Sequence, residues 1–264
     1  MNTPNRPLSS PHHTRPLFSN RRPRKVEPTS LPMLDRVLQS VALAAVLTTI
    51  LILTLNPLTG LWHTALGYLV TELSMNAQIV ARDIHVGQAS LGMRLGISME
   101  SPAPDSFALM LHGLMCIGVF GISWAVMSMP LRCGLRLLCV LHALGLLMIA
   151  ARGNAFPYSL LDHTRVLYDS SLIWLLLTPS LLAAGFFLVE RSWLNRLAAS
   201  ALILGFEIIA LPLKLILHSL LVTLLSPVAI PVLFLAAGPV LDILLLAALY
   251  AWVLTWPQLK FKLR

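Results

Sequence analysis

A run of apolar residues without a single charge, VLQSVALAAVLTTILILTL, occupies positions 37–55 and limits what this chain can become. As a helix with a rise of about 1.5 Å per residue, it would cross the hydrocarbon core of a bilayer, which is roughly 30 Å thick. The rest of the chain has the same character, because 57% of its 264 residues are hydrophobic and only 11% are charged. These features exclude an ordinary soluble domain and predict an integral membrane protein in contact with the lipid bilayer.

Further apolar segments long enough to span a membrane lie at about 106–128, 134–151, 170–189, 197–221 and 236–256. As a single helix, residues 197–235 would be about 60 Å long, twice the hydrocarbon thickness. Pro227 and Pro231 predict a break there, because proline removes a backbone donor and clashes with the preceding turn. The sequence leaves open whether this stretch is one span plus a re-entrant segment or two spans. The expected fold is an all-α polytopic membrane protein with about six transmembrane helices, the first at 34–56 and a bundle of about five at 106–256.

The cations indicate how the chain is oriented. Residues 1–33 are rich in Pro, Ser and Arg and predict a disordered basic tail, and residues 257–264 form a second basic tail. With six spans, most cations fall on one side, which the positive-inside rule assigns to the cytoplasm. We therefore expect both termini in the cytoplasm, with a bacterial inner membrane as the location. A seven-span arrangement would export the C-terminal tail and is disfavoured by the same rule.

The net charge of +8 does not indicate nucleic-acid binding. The cations cluster near the ends of the apolar segments and do not follow a groove-sized surface with interleaved aromatic residues. The sequence therefore predicts no nucleic-acid partner.

Residues 57–105 differ from the spans and predict a small extracytoplasmic element. Asn56-Pro57 is expected to end the first span, and the following apolar residues recur on one face of a helix up to about Asp83, as in a helix lying at the membrane interface. Strict alternation over 91–99 then predicts a strand, with Ile84 and Val86 beginning its partner strand. The expected element is an amphipathic helix followed by a β-hairpin.

Ionisable residues interrupt the apolar segment GFEIIALPLKLILH at 205–218. On a helix, Glu207, Lys214 and His218 fall within about 40° of one another and form one polar stripe. A lone charge at the bilayer centre costs at least about 2.5–3.5 kcal/mol, so the stripe needs partners, and Asp242 on the last span is the nearest candidate. This intramembrane cluster is either a proton or ion relay or a polar contact that fixes helix packing.

A second cluster lies in the stretch RGNAFPYSLLDHTRVLYD between two spans, on the predicted extracytoplasmic side. It is either a catalytic or docking loop, or a solvated loop whose aromatic residues anchor at headgroup depth. Its polar members are Arg152, Asn154, Asp162, His163, Arg165 and Asp169.

The sequence offers no support for soluble-type catalysis. It contains no G-x-S-x-G, H-E-x-x-H, P-loop, Rossmann or EF-hand pattern, and Cys116, Cys133 and Cys139 have no metal-ligand spacing. His112 and His142 lie inside spans, where a single histidine is most often a hydrogen-bonded packing residue. We therefore expect no cofactor, no metal and no catalytic residues.

In its layout the chain resembles the small polytopic proteins that accompany exosortases, the transpeptidase-like membrane enzymes of bacterial envelope protein sorting. The likeness covers about residues 34–195: a first span ending in NPLTG, an extracytoplasmic helix and strand reaching ISME, then closely spaced spans with RGNAFPYSLLDH between two of them. This resemblance implies an accessory role beside another envelope or membrane protein.

A sortase-like enzyme of the same system is a further alternative. The resemblance implies that such an enzyme would need Cys116 to share a pocket with His163 and with Arg152 or Arg165. The neighbours of Cys116 are apolar, which disfavours the thiolate, and the short glycine-containing signature of these enzymes is missing.

The sequence thus favours a non-catalytic accessory protein of envelope assembly, export or sorting that docks a partner through its extracytoplasmic element. The first alternative is a transporter or proton-relay subunit that uses the intramembrane cluster. The second is the sortase-like enzyme.

Overall fold

The computed structural model describes residues 33–86, 89–100, 105–126, 128–152, 159–189 and 192–257. In order, the elements are α1 Met33–Glu72, β1 Ala77–Val86, β2 Ala89–Met99, α2 Ser106–Val126, α3 Met129–Arg152, α4 Leu160–Leu188, α5 Trp193–Leu225, a 3-10 turn Pro227–Ala229, α6 Ile230–Ala237 and α7 Pro239–Leu254. In these ranges, six helices are long and apolar enough to cross a membrane, counting the turn, α6 and α7 together as the sixth. The predicted class, a helical polytopic membrane protein with a small hairpin, is confirmed.

The helices alternate in direction, so the bundle has two distinct ends. We call the end that carries β1 and β2 the hairpin end, and the opposite end, where α1 begins and α7 finishes, the tail end. Large apolar side chains of α2 and α3 are exposed, among them Leu114, Ile117, Leu144 and Leu147. Exposure of this kind on helices that are long enough to span a membrane indicates contact with lipid.

The predicted end of the first span at Asn56-Pro57 is wrong, because α1 runs on through Pro57 to Glu72. Proline removes one backbone donor, but the helix continues where tertiary contacts hold it. Trp62, Leu66 and Val70, which follow Pro57, are all buried in the main core. The predicted boundary between 34–56 and 57–105 therefore falls inside a single helix about 60 Å long.

The predicted length of the helix after Pro57 is also wrong, because residues 77–83 belong to β1. α1 stops at Glu72, and Ser74 follows in a turn with a positive φ of 49°. The short apolar pair Ile79 and Val80 fits a helical period as well as a strand, so the pattern alone misassigned it.

The hairpin itself is confirmed, with β1 and β2 antiparallel and Ala77 opposite Met99. A bulge lies between Ile84 and His85, two residues before the end of β1. Near it, Gly92 adopts a φ of +138° and packs so tightly that a Cβ would lie 2.9 Å from Thr59 Oγ1. Only glycine accepts both that backbone conformation and that close approach.

Hydroxyl groups of α1 and α4 satisfy the edge of β2 that faces away from β1. Thr59 Oγ1 accepts from Met93 N at 3.1 Å, and Thr164 Oγ1 accepts from Ile97 N at 2.9 Å. Tyr168 Oη donates to Met93 O at 2.7 Å. These bonds close an edge that would otherwise present unpaired backbone groups, and they fix the hairpin between two helices.

Trp62 joins α1 to α5 at a proline. Pro212 lies inside α5 and has no N–H to give to the carbonyl of Ile208 four residues earlier. Trp62 Nε1 donates to that carbonyl at 2.9 Å, and the indole also meets the Tyr168 ring edge to face at 6.1 Å. The indole is only 2% exposed, so the bond forms in the core.

The predicted break after the fifth span is confirmed. α5 ends at Leu225, Ser226 has a φ of 73°, and Pro227 opens the 3-10 turn. The stretch 197–235 is therefore one long helix followed by a turn and the start of the short helix α6, and not two spans.

Removing the hydroxyl of Thr164 should loosen the hairpin. In Thr164→Val the N–H of Ile97 loses its acceptor in a buried place, which should lower the free energy of unfolding by about 1–3 kcal/mol. Thr71→Val is the matched control, since Thr71 is exposed and bonds only its own helix at Gly67 O. Thermal unfolding of the two variants in the same detergent checks this, and equal midpoints would contradict the assigned role of Thr164.

Candidate functional site

The predicted stripe on α5 faces α4, α6 and α7, and its lysine meets the expected partner. Lys214 Nζ lies 2.7 Å from both carboxylate oxygens of Asp242 in the first turn of α7. Lys214 is 8% exposed and Asp242 is 20% exposed. The pair therefore joins two helices in a largely buried place, where each charge depends on the other.

Glu207 is not paired with Lys214 and bonds α4 instead. Its Oε1 lies 2.9 Å from Thr178 Oγ1, and that hydroxyl is also 2.9 Å from the carbonyl of Trp174. One hydroxyl has one hydrogen, so it donates either to the carboxylate or to the carbonyl, and in the second case Glu207 must itself carry the proton. Among the described residues, nothing hydrogen-bonds the buried Oε2 of Glu207.

A small cavity connects Glu207 with the ion pair. Its volume is about 30 Å³, which is enough for one water molecule. Ser171, Trp174, Glu207, Lys214 and Asp242 line it, together with apolar residues of α5 and α7. The second oxygen of Glu207 and the Lys214–Asp242 pair thus border the same enclosed space.

His218 takes part in a second string of contacts, toward the hairpin end. His218 Nε2 lies 3.1 Å from the carbonyl of Ala237 at the end of α6, which can only accept. In the neutral ring, His218 Nδ1 must then accept, and it lies 3.1 Å from His163 Nε2. Both rings are fully buried, so a directed string runs from α4 through α5 to α6.

The second predicted cluster does not form one site. Residues 160–169 were expected in a loop, but they are helical, because Ser159 caps α4 through Asp162 N at 3.1 Å. His163 turns inward to His218, whereas Arg165 packs its stem over Gly96 of β2. Asn154 and the side chain of Arg152 lie outside the described residues.

Asp169 has a partner that the sequence did not suggest. Arg94 on β2 forms a two-pronged ion pair with it, with Arg94 Nε donating to Asp169 Oδ1 at 2.9 Å. The pair is about one-third exposed, so it contributes little stability and mainly sets the register of the hairpin on α4.

Cys116 is not brought together with His163 or Arg165. It lies on α2, where its Sγ is 3.1 Å from the carbonyl of Cys139 on α3. His112 and His142 meet between the same two helices at 3.1 Å, so each histidine does have a hydrogen-bonding partner. Throughout the described ranges, no three His, Cys, Asp or Glu side chains are placed to hold a metal ion.

Comparison with known proteins adds no assignment. The chain matches no protein-family model, no curated protein and no solved structure.

Separating the partners of the buried ion pair should destabilise the protein more than removing both. Lys214→Met or Asp242→Leu alone leaves one charge unpaired, and we expect a loss of up to about 3 kcal/mol, at the low end of the usual range because Asp242 is partly exposed. The double variant should recover most of that loss. Thermal unfolding and yield of the three variants test this, and additive losses in the double variant would contradict direct pairing.

Proposed function

We propose that this integral membrane protein is a non-catalytic accessory subunit that docks an extended segment of a partner protein along β1. The observation that carries the proposal is the difference between the two edges of the hairpin. The β2 edge is closed by hydroxyl groups of α1 and α4, whereas the β1 edge carries backbone groups without partners.

The register identifies those groups. Ile79, Ala81 and Asp83 stand opposite Ile97, Leu95 and Met93. Because Met93 and Ile97 turn their backbone groups away from β1, their opposite residues turn theirs away from β2. Among the described residues, no hydrogen bond reaches these outward groups of β1.

A rigid free edge suits strand addition, in which backbone bonds hold the added segment and side chains select it. The exposed side chains Arg82, Asp83 and His85 on the same strand supply polar selectivity. Six spans with basic tails favour a bacterial inner membrane with the hairpin outside the cytoplasm. The layout resembles exosortase-associated proteins, so an envelope protein-sorting component is the partner class we favour.

Proline at position 81 separates this role from folding. Ala81→Pro removes an outward N–H and leaves the β1–β2 ladder intact, which an edge strand tolerates. We expect it to lose most of a stoichiometric partner that wild type retains on purification from its native membrane in mild detergent. Ala81→Val keeps the N–H and should keep the partner. A folded Ala81→Pro protein with undiminished partner would refute docking through this edge.

A proton relay is the second candidate function, favoured by the unbonded oxygen of Glu207 beside the cavity that it shares with Lys214 and Asp242. A water in that cavity would give a carboxyl group on α5 a route toward the ion pair, and ionisable groups of this kind inside a bundle often serve transport.

Neutral isosteres test the relay. Glu207→Gln and Asp242→Asn should each reduce a proton flux into proteoliposomes to background, measured with an enclosed pH-sensitive dye under a membrane potential. Thr71→Val, far from the cavity, is the control for reconstitution. Fluxes equal to wild type in both folded variants, or no flux in wild type, would remove this candidate.

A further inference from the structure

A groove between α1 and α4 at the tail end is too wide to be closed by its own side chains. It has a volume of about 830 Å³ and extends from Val37 to Thr49 on α1. That length is about 18 Å, close to the depth of one leaflet and short of the full roughly 30 Å hydrocarbon core. The groove therefore matches an acyl chain of one leaflet better than a transmembrane helix of a partner.

Small residues keep the groove open on both walls. On α1, Ser40, Ala44 and Thr48 follow one another at intervals of four, and α4 contributes Ser180, Ala183 and Ala184. Residues four apart lie on the same helix face, so this wall has few large side chains. The groove continues inward from the first turns of α1.

Ser40 points to a polar group on the occupant. Its side chain is 7% exposed, and its Oγ has no hydrogen-bonding partner among the described residues. A buried hydroxyl without a partner costs free energy, so an acceptor carried by the occupant would be favourable. The ester carbonyl groups of a phospholipid lie just below the headgroup and are acceptors of that kind.

Positive charge collects at the mouth of the groove. Arg36 lies one turn before Ser40, and its charge acts on that of Arg196 near the start of α5. The opposing acid in the first turn of α1 is Asp35. The tail adds the basic stretch RRPRK at 21–25, shortly before α1 begins. Such a charge distribution favours an anionic headgroup.

Aromatic residues support this depth assignment. Trp193 opens α5, and Trp252 stacks edge to face on Trp256 near the end of α7, all at the tail end. Trp193 and Trp252 are exposed, and exposed tryptophans favour the headgroup boundary of a bilayer.

We propose that this groove binds one anionic phospholipid, with an acyl chain between α1 and α4, a glycerol ester near Ser40 and the headgroup beside Arg36. The site is separate from the hairpin and from the buried ion pair, so its test does not depend on the proposed function.

The test is native mass spectrometry of the full chain released from nanodiscs made of equal parts phosphatidylglycerol and phosphatidylcholine. Wild type should retain phosphatidylglycerol in several-fold excess. Ala45→Phe fills the groove and should lose the bound lipid, whereas Ala143→Phe, an equally exposed position on α3, should keep it. Arg36→Gln should lower the preference for phosphatidylglycerol about fivefold, the effect expected of one basic residue near a lipid headgroup.

Several outcomes would overturn the proposal. Equal retention of both lipids by wild type would remove the headgroup assignment, and equal retention by Ala45→Phe and Ala143→Phe would remove the groove. Cross-linking from a cysteine at position 45 to a protein helix, with no lipid retained, would show a protein occupant instead. Thermal unfolding in lipid-free detergent identifies any variant that fails to fold, and Arg36→Gln, on the surface, then remains a separate test.

Discussion

The hydrogen bond from Trp62 to the carbonyl of Ile208 determines how the long first helix meets the rest of the bundle. Pro212 leaves that carbonyl without its usual donor, and in an apolar interior an unpaired carbonyl costs several kcal/mol. By supplying the donor, Trp62 sets the height and rotation of α1 against α5. The residues of α1 near Trp62 then face β2, so the position of the hairpin depends on the same bond.

The same constraint explains most other polar contacts in the core. The free edge of β2 takes hydroxyl groups from two helices, the last carbonyl of α6 takes an imidazole, and Thr178 bonds a carboxyl group of the facing helix. Each contact joins two elements, so the polar groups also determine which helices pack together. A packing role and a relay role are therefore compatible for the Glu207 region, because the cavity lies between groups that already fix the helices.

Much of this architecture follows from the sequence, since length, hydropathy and proline act locally. The six spans, strand β2, the break at Pro227 and a partner for Lys214 on the last span can all be read from the residues. Tertiary contacts decide the rest. Burial of Trp62 carries α1 past Pro57, and the capping of α4 at Ser159 brings His163 to His218, although the sequence pattern predicts a helix end and a loop. The one visible signal for Trp62 was Pro212, whose missing donor requires a replacement, but a sequence does not say which residue provides it.

The account requires a hairpin with one closed edge and one open edge, and amide hydrogen exchange measures this directly. In the purified full chain in nanodiscs, the amides of Met93 and Ile97 should be strongly protected because they donate to Thr59 and Thr164. The amides of Ile79, Ala81 and Asp83 should exchange at nearly unprotected rates. If those three amides are as protected as Met93 and Ile97 in the absence of any partner, the β1 edge is already occupied and the docking account is contradicted.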